Sequence, residues 1–213
     1  MDIKENIPAK KTGIYLYQDN NHTQKIDIEE DTEISIVSID SDIDYLYNIW
    51  EGKKLDLRVL MISKDRETSS HIDVILDKVG SKADVYILNF VISSHKTMID
   101  GKIHIWQHGK DTQWHLLEEN IILSDKAKIH TIPVLDVYNN QVSASHGAKI
   151  TRFDKEKIFY LTSRWLDQEQ SIQLLIKSYI DNIFFGKDDN KLEIIKNTII
   201  YDILSSILDQ NQI

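Results

Sequence analysis

From about Ile34 to Ile150 apolar and polar residues alternate in short runs, and no helix-length apolar pattern separates one run from the next. Such a two-residue period is the mark of strands with one buried face, because successive side chains leave opposite sides of the pleat. Leu55, Leu57, Val59 and Met61 share one parity, as do Ile72, Val74 and Leu76, then Val85 and Ile87, then Ile103 and Ile105. Ala127, Ile129, Thr131, Pro133, Leu135 and Val137 follow on odd positions, and Val142, Ala144, His146, Ala148 and Ile150 on even ones. The parity changes at Asn139-Asn140-Gln141, which predicts a turn, since Asn tolerates the left-handed conformation and its amide can bond the local backbone. Parallel α/β sheets need crossover helices between strands, and these runs recur too closely for them. An antiparallel sandwich and a β-helix remain. A sandwich calls for Asn-Gly or Asp-Gly hairpins, and Asp100-Gly101 is the one such pair, so the pattern leans towards the β-helix.

After Arg152 the period changes from two to about 3.6, the period of a helix. Asp154 reads as the N-cap of a short helix through Phe159, Tyr160 and Leu161, and Asp167 with Gln170 three residues on reads as a capping box. Ile172, Leu175, Ile176, Tyr179, Ile180, Ile183 and Phe184 form one apolar stripe of a helix expected to end before Gly186. A last helix, from about Asp189 to Asp209, is apolar on two sides: Leu192, Ile195, Ile199 and Ile203 on one, Tyr201, Leu204 and Leu208 on the other. One side is expected to pack on the preceding helix and the other on the β-core or a partner protein. The chain therefore divides into a β-core, residues 1–152, and a helical region, residues 153–213.

A length of 213 residues with 41% hydrophobic content is enough for one well-buried core. The formal net charge of −9 argues against nucleic acid as a partner, because binding a polyanion needs a basic surface. Between Ile26 and Gly52 there is no Lys or Arg, while Asp27, Glu29, Glu30, Asp31, Glu33, Asp40, Asp42, Asp44 and Glu51 accumulate; a solvated rim accounts for them. No cysteine is present, so this chain supplies no disulfide, no thiolate ligand and no cysteine nucleophile. Apolar runs such as Val59 to Ile62 fall far short of a membrane span, and Met1 to Glu5 opens no apolar leader, so a cytoplasmic protein is the expectation.

Ile121-Ile122-Leu123-Ser124, Ala127, Thr131, Pro133, Leu135-Asp136-Val137, Ser145-His146-Gly147 and the capped helix after them together resemble the core domain of the SufB/SufD family, scaffold proteins of iron–sulfur cluster assembly. Ser-His-Gly-Ala in place of a His-Glu-Ala pattern makes the chain look SufD-like. The resemblance runs from about Gly101 to about Ile183. It implies a right-handed parallel β-helix followed by a small helical region, and a non-catalytic subunit that pairs with a SufB-type chain or with itself and docks the ABC-type ATPase SufC. An iron–sulfur cluster would then form in the assembled complex, with none held stably by this chain alone. The resemblance does not extend to the long N-terminal helical domain of many members, so a short form without it is the expectation. A family cysteine often stands where this chain has Ala144, and Trp165 replaces the usual Gly of an Arg-Gly turn.

The resemblance makes His146 the candidate iron or cluster ligand, since a neutral imidazole can ligate iron. From the alternation alone it reads as a hydrogen-bonded histidine in or near the core. Val137, Tyr138, Val142, Ala144, His146 and Ala148 are the pairing candidates, because the end of a β-helix exposes unpaired backbone groups that must be capped or joined. Tyr160, Arg164, Asp167 and Gln170 are the ATPase-docking candidates, with helix capping and a surface salt bridge as the plainer account. His104, His108 and His115 invite a metal site. In one extended strand, though, His104 and His108 lie about 13 Å apart, too far to share an ion. Ser145 and His146 point to opposite faces, so the adjacent pair cannot act as nucleophile and base. No Gly-rich phosphate loop is present. Two competing readings are a carbohydrate-active β-helix enzyme, for which Asp73, Asp77 and Asp84 are acids of the right type, and a regulatory paralogue that binds the ATPase without building a cluster.

Overall fold

The computed structural model describes residues 3–5, 11–17, 23–92, 94–152, 155–184 and 190–209. Every strand pair in it is parallel. One sheet runs β1 (Ile3–Glu5), β2 (Gly13–Tyr17), β4 (Thr32–Ile39), β6 (Lys54–Ser63), β8 (Lys82–Val91), β10 (Thr112–Ile122) and β13 (Val142–Arg152). The other runs β3 (Gln24–Ile28), β5 (Asp44–Ile49), β7 (Thr68–Leu76), β9 (Lys96–Ile105) and β11 (Lys128–Thr131), with β12 (Val134–Val137) also on β9. The chain thus passes from one sheet to the other and back, stacking each strand on its equivalent in the previous coil. This is the expected parallel β-helix. Asp100-Gly101, the one hairpin-like pair, lies inside β9 and makes no turn.

Strict register converts the alternation into columns. Ile34, Leu57, Val85 and Leu116 stack in the lumen, each at most 1% exposed, and His146 stands on top of them. Ile36, Val59 and Ile87 form the next column, which continues through Glu118 to Ala148. Across the lumen Ile26, Tyr47, Val74 and Ile103 rise to Leu135. At one corner the filling is polar: Ser63, Thr68, Asn89, Thr97 and Asn120 are buried, and Asn89 Nδ2 donates to Asn120 Oδ1 at 3.3 Å. The odd-position run from Ala127 to Val137 breaks at Ile132-Pro133 into β11 and β12 but keeps its parity. Asn139 makes the predicted turn, its Oδ1 accepting from Gln141 N at 2.8 Å and its Nδ2 donating to Gln107 O at 2.7 Å.

Part of the acidic stretch has a structural use. Asp31 accepts from Lys54 N at 2.9 Å, Asp40 from Lys64 N at 2.7 Å and Asp42 from Ser69 N at 2.7 Å. These carboxylates tie turns of one coil to the next, and a carboxylate accepting backbone N–H groups makes one of the stronger kinds of hydrogen bond.

The helices lie on the outer face of the seven-stranded sheet. α1 is Lys155–Thr162, α2 Gln168–Ile180 and α3 Asn190–Asp209. Ile172, Ile176, Ile180, Ile199 and Ile203 pack with Leu60, Ile62, Leu88 and Phe90 in one cluster. That is why β6 and β8 are apolar on both faces in their second halves. Ser35 Oγ donates to Ile183 O at 2.8 Å, and Lys64 bridges Asp202 at 2.9 Å, so the helical layer reaches back over the early coils. The capping box is present: Gln170 N donates to Asp167 Oδ1 at 2.7 Å, and Asp167 N to Gln170 Oε1 at 3.2 Å. α2 stops at Ile180, short of the predicted end. Turns then carry Ile183 and Phe184 into the same apolar cluster. Asp154, Gly186 and Asp189, named above as cap and boundary residues, lie outside the described residues.

Candidate functional site

The last coil ends the helix without a lid among the described residues. β13 and the β11/β12 segment have a neighbour on one side only. Their inward side chains consequently lie at the open end of the lumen, with no described coil above them. Val142 and Ala144 still pack against the luminal core, while His146, Ala148 and Ile150 are exposed, Ile150 at 52%. Among the described residues nothing hydrogen-bonds the His146 imidazole, so it is not the satisfied core histidine that the alternation alone allowed. Val137 and Tyr138 border the same opening, 42% and 55% exposed. The six pairing candidates therefore share one end of the molecule.

An aromatic stack runs up to that end. His104 and Trp106 lie 6.2 Å apart at 15°, and Trp106 and Tyr138 5.1 Å apart at 8°. His104 Nδ1 also lies 3.1 Å from Asp136, and His108 Nδ1 3.2 Å from Asp77. Each histidine thus has its own carboxylate. β9 ends at Ile105, which leaves His108 in a turn, and no group of three metal-ligating side chains exists among the described residues. His115 is engaged differently, with Nδ1 2.8 Å from Ser145 Oγ. Ser145 does meet an imidazole, supplied by the neighbouring strand and not by His146. This pair is exposed on the outer face, and the second His115 nitrogen has no orienting partner among the described residues, so the triad logic of acyl transfer is incomplete.

The acids weighed for carbohydrate chemistry are dispersed. Burial raises the Asp73 pKa against the opposing pull of Lys102. Asp84 faces Arg58 at 3.4 Å, and Arg58 also holds Asp56 at 2.9 Å. Burial likewise raises the Asp56 carboxyl. One acid escaped the sequence reading altogether. Glu118 is fully buried in the lumen, accepts from Gly101 N at 2.9 Å and contacts the Thr131 hydroxyl, and burial pushes its carboxyl up to about 7. Its place at an inward position of an apolar alternation was the signal that could have revealed it.

At the helical corner, Arg164 lies over the Tyr160 ring at 5.3 Å. Asp167 and Gln170 engage each other's backbone in the capping box. Beside them Phe159 is 74% exposed and Trp165 96%, and Trp165 holds a φ of 75°. A left-handed backbone suits Gly and is strained in a residue with a bulky side chain. A small cleft lined by Lys155, Ile158, Phe159, Thr162 and Gln168 adjoins this corner. On α3, Ile194, Tyr201 and Leu208 recur every seven residues and stay exposed, while Leu204 beside them is buried. The second apolar side expected of this helix is therefore only partly covered.

Residues 19–179 match the family described as SUF system FeS cluster assembly, SufBD core domain. The chain belongs to the SufBD core family. It is 33% identical over 93 residues to the iron–sulfur cluster assembly protein SufD of Escherichia coli, which covers 40% of this chain and 22% of the relative. It is 28% identical over 131 residues to an iron–sulfur cluster assembly SufBD family protein of Staphylococcus aureus, covering 62% of this chain and 25% of that one. The chain thus aligns with about a quarter of these relatives' length or less. No described helix is long and apolar enough to cross a membrane.

Proposed function

We propose that this chain is a non-catalytic scaffold subunit of SUF-type iron–sulfur cluster assembly in the cytoplasm. Its open coil end pairs with a SufB-type chain or a second copy of itself, and its helical corner docks a SufC-type ABC ATPase. The observation that carries the reading is the last coil. Luminal columns buried in the coils below end in exposed His146, Ala148 and Ile150, beside a β13 edge that pairs with no other strand among the described residues. An edge of this kind is a template for another chain, and its apolar inward face gains free energy when covered. With no cysteine in the chain, any thiolate at the joint comes from the partner, and His146 contributes an imidazole ligand to the assembling cluster. Phe159, Tyr160, Arg164 and Trp165 have the aromatic and arginine composition of a binding hot spot, and they supply the contact with the ATPase.

The test is anaerobic reconstitution of the complex formed by co-expressing this chain with SufB-type and SufC-type partners. Wild type is expected to co-purify and to support cluster formation. His146→Ala should assemble but yield less cluster. An unchanged cluster yield removes His146 from the chemistry and favours the regulatory paralogue, to which the alanine at position 144 also points. Failure to join either partner overturns the reading.

A further inference from the structure

Glu118 is the one carboxylate of β10 whose side chain enters the lumen, and it sits one coil below the open end. Its register neighbours are Ile87 on β8 and Ala148 on β13. The carboxylate reaches across to the other sheet, where Gly101 N on β9 donates to Oε1 and Thr131 Oγ1 on β11 meets Oε2. The space exists only because residue 101 is Gly, since a Cβ there would stand 2.5 Å from Glu118 Oε1. The side chain is therefore a tie between three strands of two coils, one of them the short β11 of the terminal coil.

We propose that Glu118 is a proton-controlled positioning residue for the terminal coil: neutral, it lets β11 close over the lumen; ionised, it favours an opened β11 that admits water to the carboxylate. This rests on the reading of the coil end as a pairing face, and makes pairing depend on pH through the order of β11. The physics is the cost of a charge in an apolar lumen, which two hydrogen bonds offset only in part. Burial is the largest influence on this carboxyl, opposed by Thr131 and the Gly101 N–H and reinforced by Asp100. Asp100 itself faces His71 at 3.4 Å. Inward positions of β11 carry Ile129 and Thr131. Those of β13 carry His146 and, at the strand end, Arg152, which bridges Asp125. On β8 the facing neighbours Val85 and Ile87 are uncharged. No cationic side chain among the described residues acts on the carboxylate to hold it ionised.

Hydrogen–deuterium exchange of residues 128–137 in the full chain tests this, at pH 6 and pH 8.5, with rates normalised to an unstructured peptide. Protection in wild type should fall between the two by up to about tenfold, the ceiling set over this interval by a carboxyl displaced from 4.5 to about 7. Glu118→Gln keeps the shape without the charge and should show no such fall. Equal slopes in the two proteins overturn the proposal. A carbon-13 titration of the Glu118 carboxyl in wild type reads the same point with no substitution: a midpoint above 6 supports the tie, and one below 5.5 overturns it. A pH-dependent β11 in a chain that joins no partner would keep the tie and reject the pairing role. A pairing chain with pH-independent β11 would do the reverse.

Discussion

β5 and β13 follow the same two-residue alternation, yet one strand hides every second side chain and the other hides almost none. In β5 the inward Tyr45, Tyr47 and Ile49 are at most 2% exposed, because β3 and β7 flank them and the lumen is filled. In β13 the inward positions pass from half-buried Val142 and Ala144 to exposed His146, Ala148 and Ile150. Nothing local distinguishes these strands. Burial in a β-helix is conferred by the coil above and the coil below, so a terminal coil has half of what a central coil has. The difference separates residues that hold the fold from residues available to a partner.

The largest effect expected breaks the comparison at its buried side. Leu57 is fully buried between Ile34 and Val85, and Leu57→Ala should cost about 2–5 kcal/mol in denaturant unfolding of the full chain. Ile150→Ala at the open end should stay within roughly 0.5 kcal/mol. If a partner covers that end, the ranking narrows in the complex, which the same unfolding experiment on the co-purified assembly would register.

The second effect depends on pH. The Glu118 carboxyl, near 7 when folded, stands above its ordinary value of 4.5, so folding favours its neutral form. That advantage is fully present below about pH 4.5 and is lost as the pH rises through about 7. Over this window wild type should lose up to about 3 kcal/mol relative to Glu118→Gln, measured as the difference between their unfolding free energies at pH 4.5 and 8. Parallel profiles would mean that water already reaches the carboxylate. Gly101→Ala attacks the same place from the opposite strand. Its added methyl meets Glu118 Oε1 at 2.5 Å and Leu116 Cδ2 at 2.9 Å, and should cost about 1–3 kcal/mol by thermal unfolding. The carboxylate is the nearer of the two neighbours, so a milder loss in the Glu118→Ala background would identify it as the main obstacle.

Much of the architecture was legible because it is periodic. The shared parities from Leu55 to Ile105 become luminal columns, and the Asp167–Gln170 pair caps α2 as its spacing implies. What escaped the sequence depends on which coil stacks on which. Ser145 meets His115 thirty residues away, Trp106 stacks on Tyr138 of the next coil, and Glu118 finds Gly101 across the lumen. Each pairing follows from a register that no local pattern reveals. The early acids behave likewise: Asp40 and Asp42 look like surface charge until the turns they hold, near Lys64 and Ser69, are stacked beside them. Even the side on which His146 lies was readable, whereas its exposure was not, because exposure there reflects a missing neighbour.

The smallest effect expected concerns the helical corner, where strain and exposure coincide. Trp165 is 96% exposed at a φ of 75°, so its side chain is almost bare of contacts while its backbone occupies a conformation disfavoured by about 1–2 kcal/mol. Trp165→Gly relieves that strain but adds freedom to the unfolded chain, worth roughly 0.5–1 kcal/mol, so the isolated chain should become more stable by at most about 1.5 kcal/mol. If this corner docks the proposed ATPase, the same variant should bind it more weakly by calorimetry. Gain of stability with loss of binding would set this corner beside the open coil end as a second surface built for a partner. Unchanged binding would leave Trp165 as unexplained strain and confine the docking surface to Phe159, Tyr160 and Arg164.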